Sequence, residues 1–439
     1  MQKKENQKNV TRKKRLLVFF NTYRNWVFLG ILFIAFVFLR FYQLESRLPL
    51  GWDQIDNAWA AKRIIVDHNY PLLGMQAKEN SGINIGPAYY YLITPIYFLF
   101  DLYPIASGYI AGLTAIFTFL VLFFIIKKLF TFEVALIALF INTTSYFIAA
   151  GDRVQWPVNF IVPVSLIIFY CLYKVLLGES KYLFFLALAV GFSTQIHFTS
   201  VFYGPIILLS IPFFPRTKKT IVYSLLSLPL FLIWLTPVFY FSLITKNSQG
   251  MNLHSYLQQN YHGLHLVRIL QLLHDAFIEF VAIIRSSLLD YFDFLLPVIF
   301  AILYYYPKKL KKHLLFCYLM ALWFIVPWIA FSTYKGELTN YYFFMTRPIG
   351  LIILAYLTYR LLLVENIIPR LAVLIFWGYF MVTNVNDIVY GFSTPNYLSN
   401  ATPRIIPAAQ SKQKFIYNEH TLDAYLYYYY KYYKNGKVN

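Results

Sequence analysis

Residues Gly51–Tyr91 read GWDQIDNAWAAKRIIVDHNYPLLGMQAKENSGINIGPAYYY. Asp53, Asp56, Lys62, Arg63, Asp67, His68, Lys78 and Glu79 crowd into this polar stretch, which separates a first apolar run at 25–43 from a long series of others. Charges this dense beside a membrane are costly unless they stay wet or line a site. The stretch therefore divides an anchor from a bundle and is the first place to look for chemistry.

The membrane reading rests on composition. Of 439 residues, 59% are hydrophobic, 21% aromatic and only 13% charged, against ~25% charged in soluble domains. Mean hydropathy is +0.54. The net charge of +19 reads as anchoring of inner loops, with no nucleic-acid partner. Cys171 and Cys317 both lie in apolar runs, which predicts neither a disulfide framework nor a zinc site. The basic segment 1–24 precedes the first run without a small-residue cleavage site, so that run is expected to remain as a span.

A spanning helix needs about 20 apolar residues. Eleven stretches qualify: 25–43, 104–126, 132–150, 157–176, 181–198, 199–215, 220–245, 289–306, 314–332, 346–363 and 371–385. The expected fold is an all-α polytopic membrane protein, a transmembrane domain over 25–385. With the N-terminus in the cytoplasm, the inner segments hold more than half of the Lys and Arg residues against four acids, Glu5, Glu133, Glu179 and Glu365. That is the positive-inside pattern. It places the large first loop (44–103), the 246–288 loop with its interfacial helices and the Tyr-rich tail 386–439 outside. Residues 86–100 (GPAYYYLITPIYFLF) would push Lys127–Lys128 outward if they spanned. They are read as an interfacial or re-entrant helix starting near Pro87.

Candidate chemistry follows from the outer segments, each with a plainer alternative. Asp53 suits a general base, or a helix cap. Asp56, three residues on and on the same helical face, could share that work or help hold a divalent cation, or simply offset the helix dipole. Tyr89 and Tyr90 suit sugar stacking, or an interface belt. Arg153, in the 151–159 loop GDRVQWPVN, could clamp a phosphate, or pair with Asp152. His197 closes Gln195-Ile196-His197 as a substrate contact, or as interhelical glue. Lys335 and Arg347 add cations to a further outer loop, or snorkel. There is no nucleotide-binding loop, HExxH or paired CxxC, so an outward polar face points to an activated substrate carried by a lipid.

The order of these features resembles the GT-C membrane glycosyltransferases, the group that includes protein O-mannosyltransferases and lipid A aminoarabinose transferases. The resemblance lies in an acidic motif just after the first span, here Asp53-Gln54 where Asp-Glu is usual. It lies also in a Pro-containing aromatic helix, here Gly86-Pro87-Ala88-Tyr89-Tyr90 where His-Pro-Pro-Leu-Tyr-Tyr is common. The Arg153…Trp156-Pro157-Val158-Asn159 loop and the Gln195-Ile196-His197 helix end are similar to bacterial members. It covers about residues 25–215, and the remainder by topology.

The resemblance implies a polyprenyl-phosphate sugar donor, a protein, lipid or glycan acceptor, and an inverting displacement with Asp53 as base. Asp56, Gln54, Lys78, Tyr89, Tyr90, Arg153, Asn159, His197, Lys335 and Arg347 are the expected substrate contacts. Arg153, Lys335 and Arg347 would face the leaving phosphate. No cofactor is required, with a divalent metal at Asp53/Asp56 left open. A transporter or flippase for a lipid-linked glycan, or a non-catalytic scaffold, are the competing readings.

Overall fold

The computed structural model describes residues 23–77, 81–246, 249–261, 263, 266–272, 304, 311–336, 338–390, 398–411 and 421–434. Helices dominate these residues, and no β-strand is present among them.

Helix α1 (Tyr23–Phe41) is the first span. The polar stretch then forms α2 (Trp52–Ile65) and α3 (Ala88–Leu99). The bundle follows as α4 (Ala106–Leu129), α5 (Phe132–Thr144), α6 (Tyr146–Asp152), α7 (Pro157–Leu176), α8 (Tyr182–Ser193), α9 (Phe198–Phe213) and α10 (Lys218–Thr245). Then come α11 (Gln249–Asn260), α12 (Lys311–Ser332), α13 (Arg347–Leu362), α14 (Ile367–Tyr390), α15 (Leu398–Gln410) and α16 (Leu422–Tyr428).

Among the described residues six helices, α1, α4, α7, α10, α12 and α14, are long and apolar enough to cross a membrane, and α5 with α6 makes a seventh if the bent pair is one span. The sequence led us to expect eleven. The predicted spans 181–198 and 199–215 are two short helices, α8 and α9. Twelve residues of α8 rise only about 18 Å, well short of a ~30 Å core. Helix α13 has 16 residues. It is buried from Arg347 through Thr358 and forms the bundle's axis, packed on α5, α7 and α14. The predicted span 289–306 lies outside the described residues, Tyr304 excepted. Helix α3 has 12 residues. Tyr89, Tyr90, Ile93 and Tyr97 are buried on one face, and Leu92, Phe98 and Leu99 are exposed on the other. A short two-faced helix of this kind matches the interfacial reading.

Two arginines join the first span to the broken one. Helices α5 and α6 meet at 72°, which frees backbone carbonyls at the break. Arg40 fills that need. It donates to the Asn142 and Thr143 carbonyls at 2.6 and 2.7 Å, and to Asp152 Oδ2 at 2.9 and 3.0 Å. Arg153 returns the favour, donating to the carbonyls of Leu39, Arg40 and Tyr42 at the end of α1. Close packing supports the same junction. A Cβ on Gly112 of α4 would sit 2.2 Å from the Phe41 ring, so the ring packs directly on the glycine and a larger residue would displace it.

The Tyr-rich tail is folded onto the polar stretch. The Tyr425 hydroxyl donates to the Leu102 carbonyl at 2.9 Å, and its ring meets Trp59 of α2 at 5.0 Å. Lys62 of α2 lies 4.9 Å from the Tyr428 ring.

Removing Arg40 would strand Asp152 as a buried charge, a loss of about 3–5 kcal/mol. Arg40→Met should therefore lower the unfolding midpoint in detergent sharply, and Asp152→Leu added to it should recover much of the loss. An unchanged midpoint for Arg40→Met would show that the junction is held by packing alone.

Candidate active site

Helix α2 starts at Gly51, whose N–H donates to Gln54 Oε1 at 2.9 Å. Gln54 Nε2 donates to the Gln155 carbonyl at 2.9 Å, and the Tyr97 hydroxyl donates to Gln155 Oε1 at 3.0 Å. The 153–156 loop is thereby held against α2 and α3. The next residue completes the contact: the Trp156 indole N–H donates to Asp53 Oδ2 in a short hydrogen bond. Gln54, which stands where the resembled family usually has an acid, is buried and braces the loop.

Asp53 and Trp156 line a cavity of about 280 Å³ with Gln76, His197, Tyr341 and Tyr342. His197 is set in the break between α8 and α9. Its Nδ1 accepts from the Thr199 N–H at 3.3 Å, which puts the ring proton of the neutral form on Nε2. Burial pushes the His197 imidazole down to about 4. The rings of Tyr341 and Tyr342 lie 5.7 and 5.8 Å from it. The preceding Gln195 anchors the break. Its Nε2 donates to the Trp234 carbonyl at 2.8 Å and its Oε1 accepts from the Ala88 N–H at 3.4 Å. A Cβ at position 86 would meet Gln195 Oε1 at 1.9 Å, so Gly86 is required for this approach.

A second cavity, about 760 Å³ and mostly apolar, adjoins the first. The two share Ala77, His197 and Tyr342. Phe198, Val201, Phe202, Leu253, Leu257 and Phe331 supply its greasy walls. No Lys or Arg lines either cavity among the described residues.

The expected contacts thus separate into groups. Asp53 and His197 share one cavity. Asp56 accepts from the Tyr90 hydroxyl at 3.0 Å and lies 4.0 Å from Arg63. Burial, then the neighbouring Asp56 charge, pushes the Tyr90 hydroxyl well above the usual phenol range. Tyr89 is on the buried face of α3. Asn159 is also buried and holds its own loop, donating to the Gly151 and Val154 carbonyls at 2.9 Å. Arg153, expected at a phosphate, instead has its guanidinium aimed at backbone carbonyls of the first span. Arg347 is buried too, stacked 3.5 Å over the Phe344 ring. Lys335 is exposed beside the apolar cavity, its N–H donating to the Asn260 carbonyl at 2.8 Å. Lys78 lies outside the described residues. Trp156, Tyr341 and Tyr342 were not expected as site residues, although Trp156 stands in the 151–159 loop and the two tyrosines lie between Lys335 and Arg347.

Known proteins give this geometry a context. Residues 74–241 match the sequence model of the dolichyl-phosphate-mannose-protein mannosyltransferase family. No curated protein sequence matches the chain. Among solved structures, ArnT from Cupriavidus metallidurans bound to undecaprenyl phosphate superposes with a TM-score of 0.56 at 11% identity, over 91% of this chain and 84% of that one. Its apo form gives 0.58 at 11% identity, over 92% and 84%. The archaeal oligosaccharyltransferase AglB from Archaeoglobus fulgidus, in complex with an inhibitory peptide and a dolichol-phosphate, gives 0.56 at 12% identity, over 90% of this chain and 58% of that one. This is the GT-C glycosyltransferase fold. The family match begins at Gly74 and ends within α10, so it takes in α3, the 153–156 loop and the His197 break.

A half-buried His lowered by desolvation to about 4 from an ordinary value of 6.5 stays neutral in the folded protein while the unfolded chain takes up a proton. Stability therefore falls as pH drops from about 6.5 toward 4. Thermal unfolding in detergent across that range should show the loss, and His197→Gln should flatten it. An identical pH slope in the variant would mean that His197 is not the group responsible.

Proposed function

We propose that the protein transfers a sugar from a polyprenyl-phosphate donor to an acceptor on the outer face of the membrane, with Asp53 as general base. One observation carries this reading: a small cavity lined by the Asp53 carboxylate, Gln76 and His197 adjoins a larger, mostly apolar one, the two sharing Ala77, His197 and Tyr342. A lipid-linked sugar needs both environments at once, an apolar channel for the chain and a wet pocket for the sugar. ArnT bound to undecaprenyl phosphate and AglB in complex with dolichol-phosphate support a donor of this class.

In the proposed step the acceptor, a hydroxyl or amine of a protein, lipid or glycan, gives its proton to Asp53. Its lone pair attacks the anomeric carbon. The bond from that carbon to the phosphate oxygen breaks, the configuration inverts, and lipid phosphate leaves as the anion. The transition state has oxocarbenium character. The Trp156 indole fixes the carboxylate, and the neutral His197 offers Nε2–H as a donor to sugar or phosphate. Lys335 follows Tyr334 of the apolar wall and is our candidate cation for the leaving group. The scheme uses no metal. Charge distribution supports an outward-facing site and a cytoplasmic N-terminus.

Asp53→Asn, in membranes supplied with a polyprenyl-phosphate sugar, should reduce transfer by about 100-fold or more. A folded variant with normal turnover would overturn the assignment. Trp156→Phe keeps the ring and removes the N–H. It should lower kcat by roughly 10- to 100-fold and leave the donor KM nearly unchanged. A rise in KM alone would make Trp156 a binding residue instead.

A further inference from the structure

The opposite end of the bundle holds another cavity, about 670 Å³, that sugar transfer leaves unused. Helix α7 connects the two ends. Pro157 at its start lines the cavity of Asp53, and Leu177 just beyond its end lines this one. Its 20 residues rise about 30 Å, the thickness of a bilayer core. The C-terminal ends of α4, α7 and α13 meet the N-terminal ends of α5 and α12 here. They bring Lys128, Lys174, Arg360, Lys312 and His313 to one hollow.

No Asp or Glu lines this cavity among the described residues. Glu179 pairs with Lys174, which still leaves Lys128, Lys312 and Arg360 as an excess of positive charge. Arg360 donates to the Tyr356 hydroxyl at 3.1 Å, which fixes its direction at the wall. Cations gathered in a concave site repel one another, and an anion in the hollow relieves that repulsion. At the rim, Leu177 and Leu363 are 40% and 57% exposed.

We propose that this cavity binds a phosphate group, supplied as the headgroup of an anionic membrane lipid. The cations recognise the phosphate. The exposed leucines recognise the acyl chains, which a free phosphate would leave without a partner. Basic pockets between membrane helices bind anionic headgroups in this way. The site is separate from the Asp53 cavity and takes no part in the transfer step.

The test uses the full chain purified in detergent, with phosphatidylglycerol, phosphatidylcholine and inorganic phosphate as probes. Phosphatidylglycerol should bind, as read by native mass spectrometry, and raise the unfolding midpoint, whereas phosphatidylcholine should do neither. Lys312→Gln with Arg360→Gln should weaken phosphatidylglycerol binding by about tenfold or more. Because Arg360 also supports Tyr356, a second variant combines Lys128→Gln with Lys312→Gln, two exposed lysines, and should weaken binding in the same direction. Lys127→Gln is the control, since Lys127 lies over the Trp26 and Phe132 rings instead, and it should bind as the wild type does. Competition by millimolar inorganic phosphate would support phosphate recognition. Full stabilisation by inorganic phosphate, with no added effect of the lipid, would overturn the lipid source. Undiminished phosphatidylglycerol binding by both folded double variants, or equal binding of phosphatidylcholine, would overturn the site.

Discussion

Arg40 at the end of the first span governs where the site can form. A guanidinium at 1% exposure is tolerable only if its donors are spent, and here they close on a carboxylate and two carbonyls from the break between α5 and α6. The break and the cation need each other. A straight helix would offer Arg40 no carbonyls, and without Arg40 the bent pair would expose unsatisfied backbone in an apolar setting. Arg153 makes the arrangement reciprocal by capping the helix that carries Arg40. Two remote segments are thereby held end to end before any contact specific to the site is made.

The site grows out of that junction. Three residues along from Arg153 the chain reaches Trp156, which holds Asp53. Between them Gln155 takes bonds from Gln54 of α2 and Tyr97 of α3. The acidic motif is therefore positioned by hydrogen bonds running through the core. The aromatic tail adds weight from the other side, since Tyr425 fills the angle between Trp59 and the Leu102 carbonyl. A segment that reads in sequence as an outer appendage is part of what keeps α2 in place.

The parts legible in the sequence were those set by local composition. Long apolar runs marked the spans, and the polar stretch after the first of them holds Asp53, which lines the smaller cavity. The pair 181–198 and 199–215 misled, because summed hydropathy does not register a break. The polar Gln195 and His197 interrupt two runs that are each too short to cross alone. The cations misled for a different reason. Side-chain type says that an arginine can bind phosphate, but not whether distant carbonyls have already claimed its donors, as happens for Arg153. Gln54 shows the reverse. As a departure from an expected acid it looked like a weakness of the site, yet its amide both receives the Gly51 N–H and reaches the Gln155 carbonyl, a task that a carboxylate, with no N–H to donate, could not perform.

The cavities also divide by polarity in a way that fits one substrate. The carboxylate lies in the smaller one, the larger is walled by Phe and Leu side chains, and the shared boundary is His197 with Tyr342. An imidazolium at that boundary would draw water into the apolar side. Burial prevents this by holding His197 neutral well below physiological pH. The boundary residue can then present a single N–H to a ligand while remaining compatible with a hydrocarbon wall. The break after α8 is thus more than an interruption of a span, because it places a neutral imidazole where the two cavities adjoin.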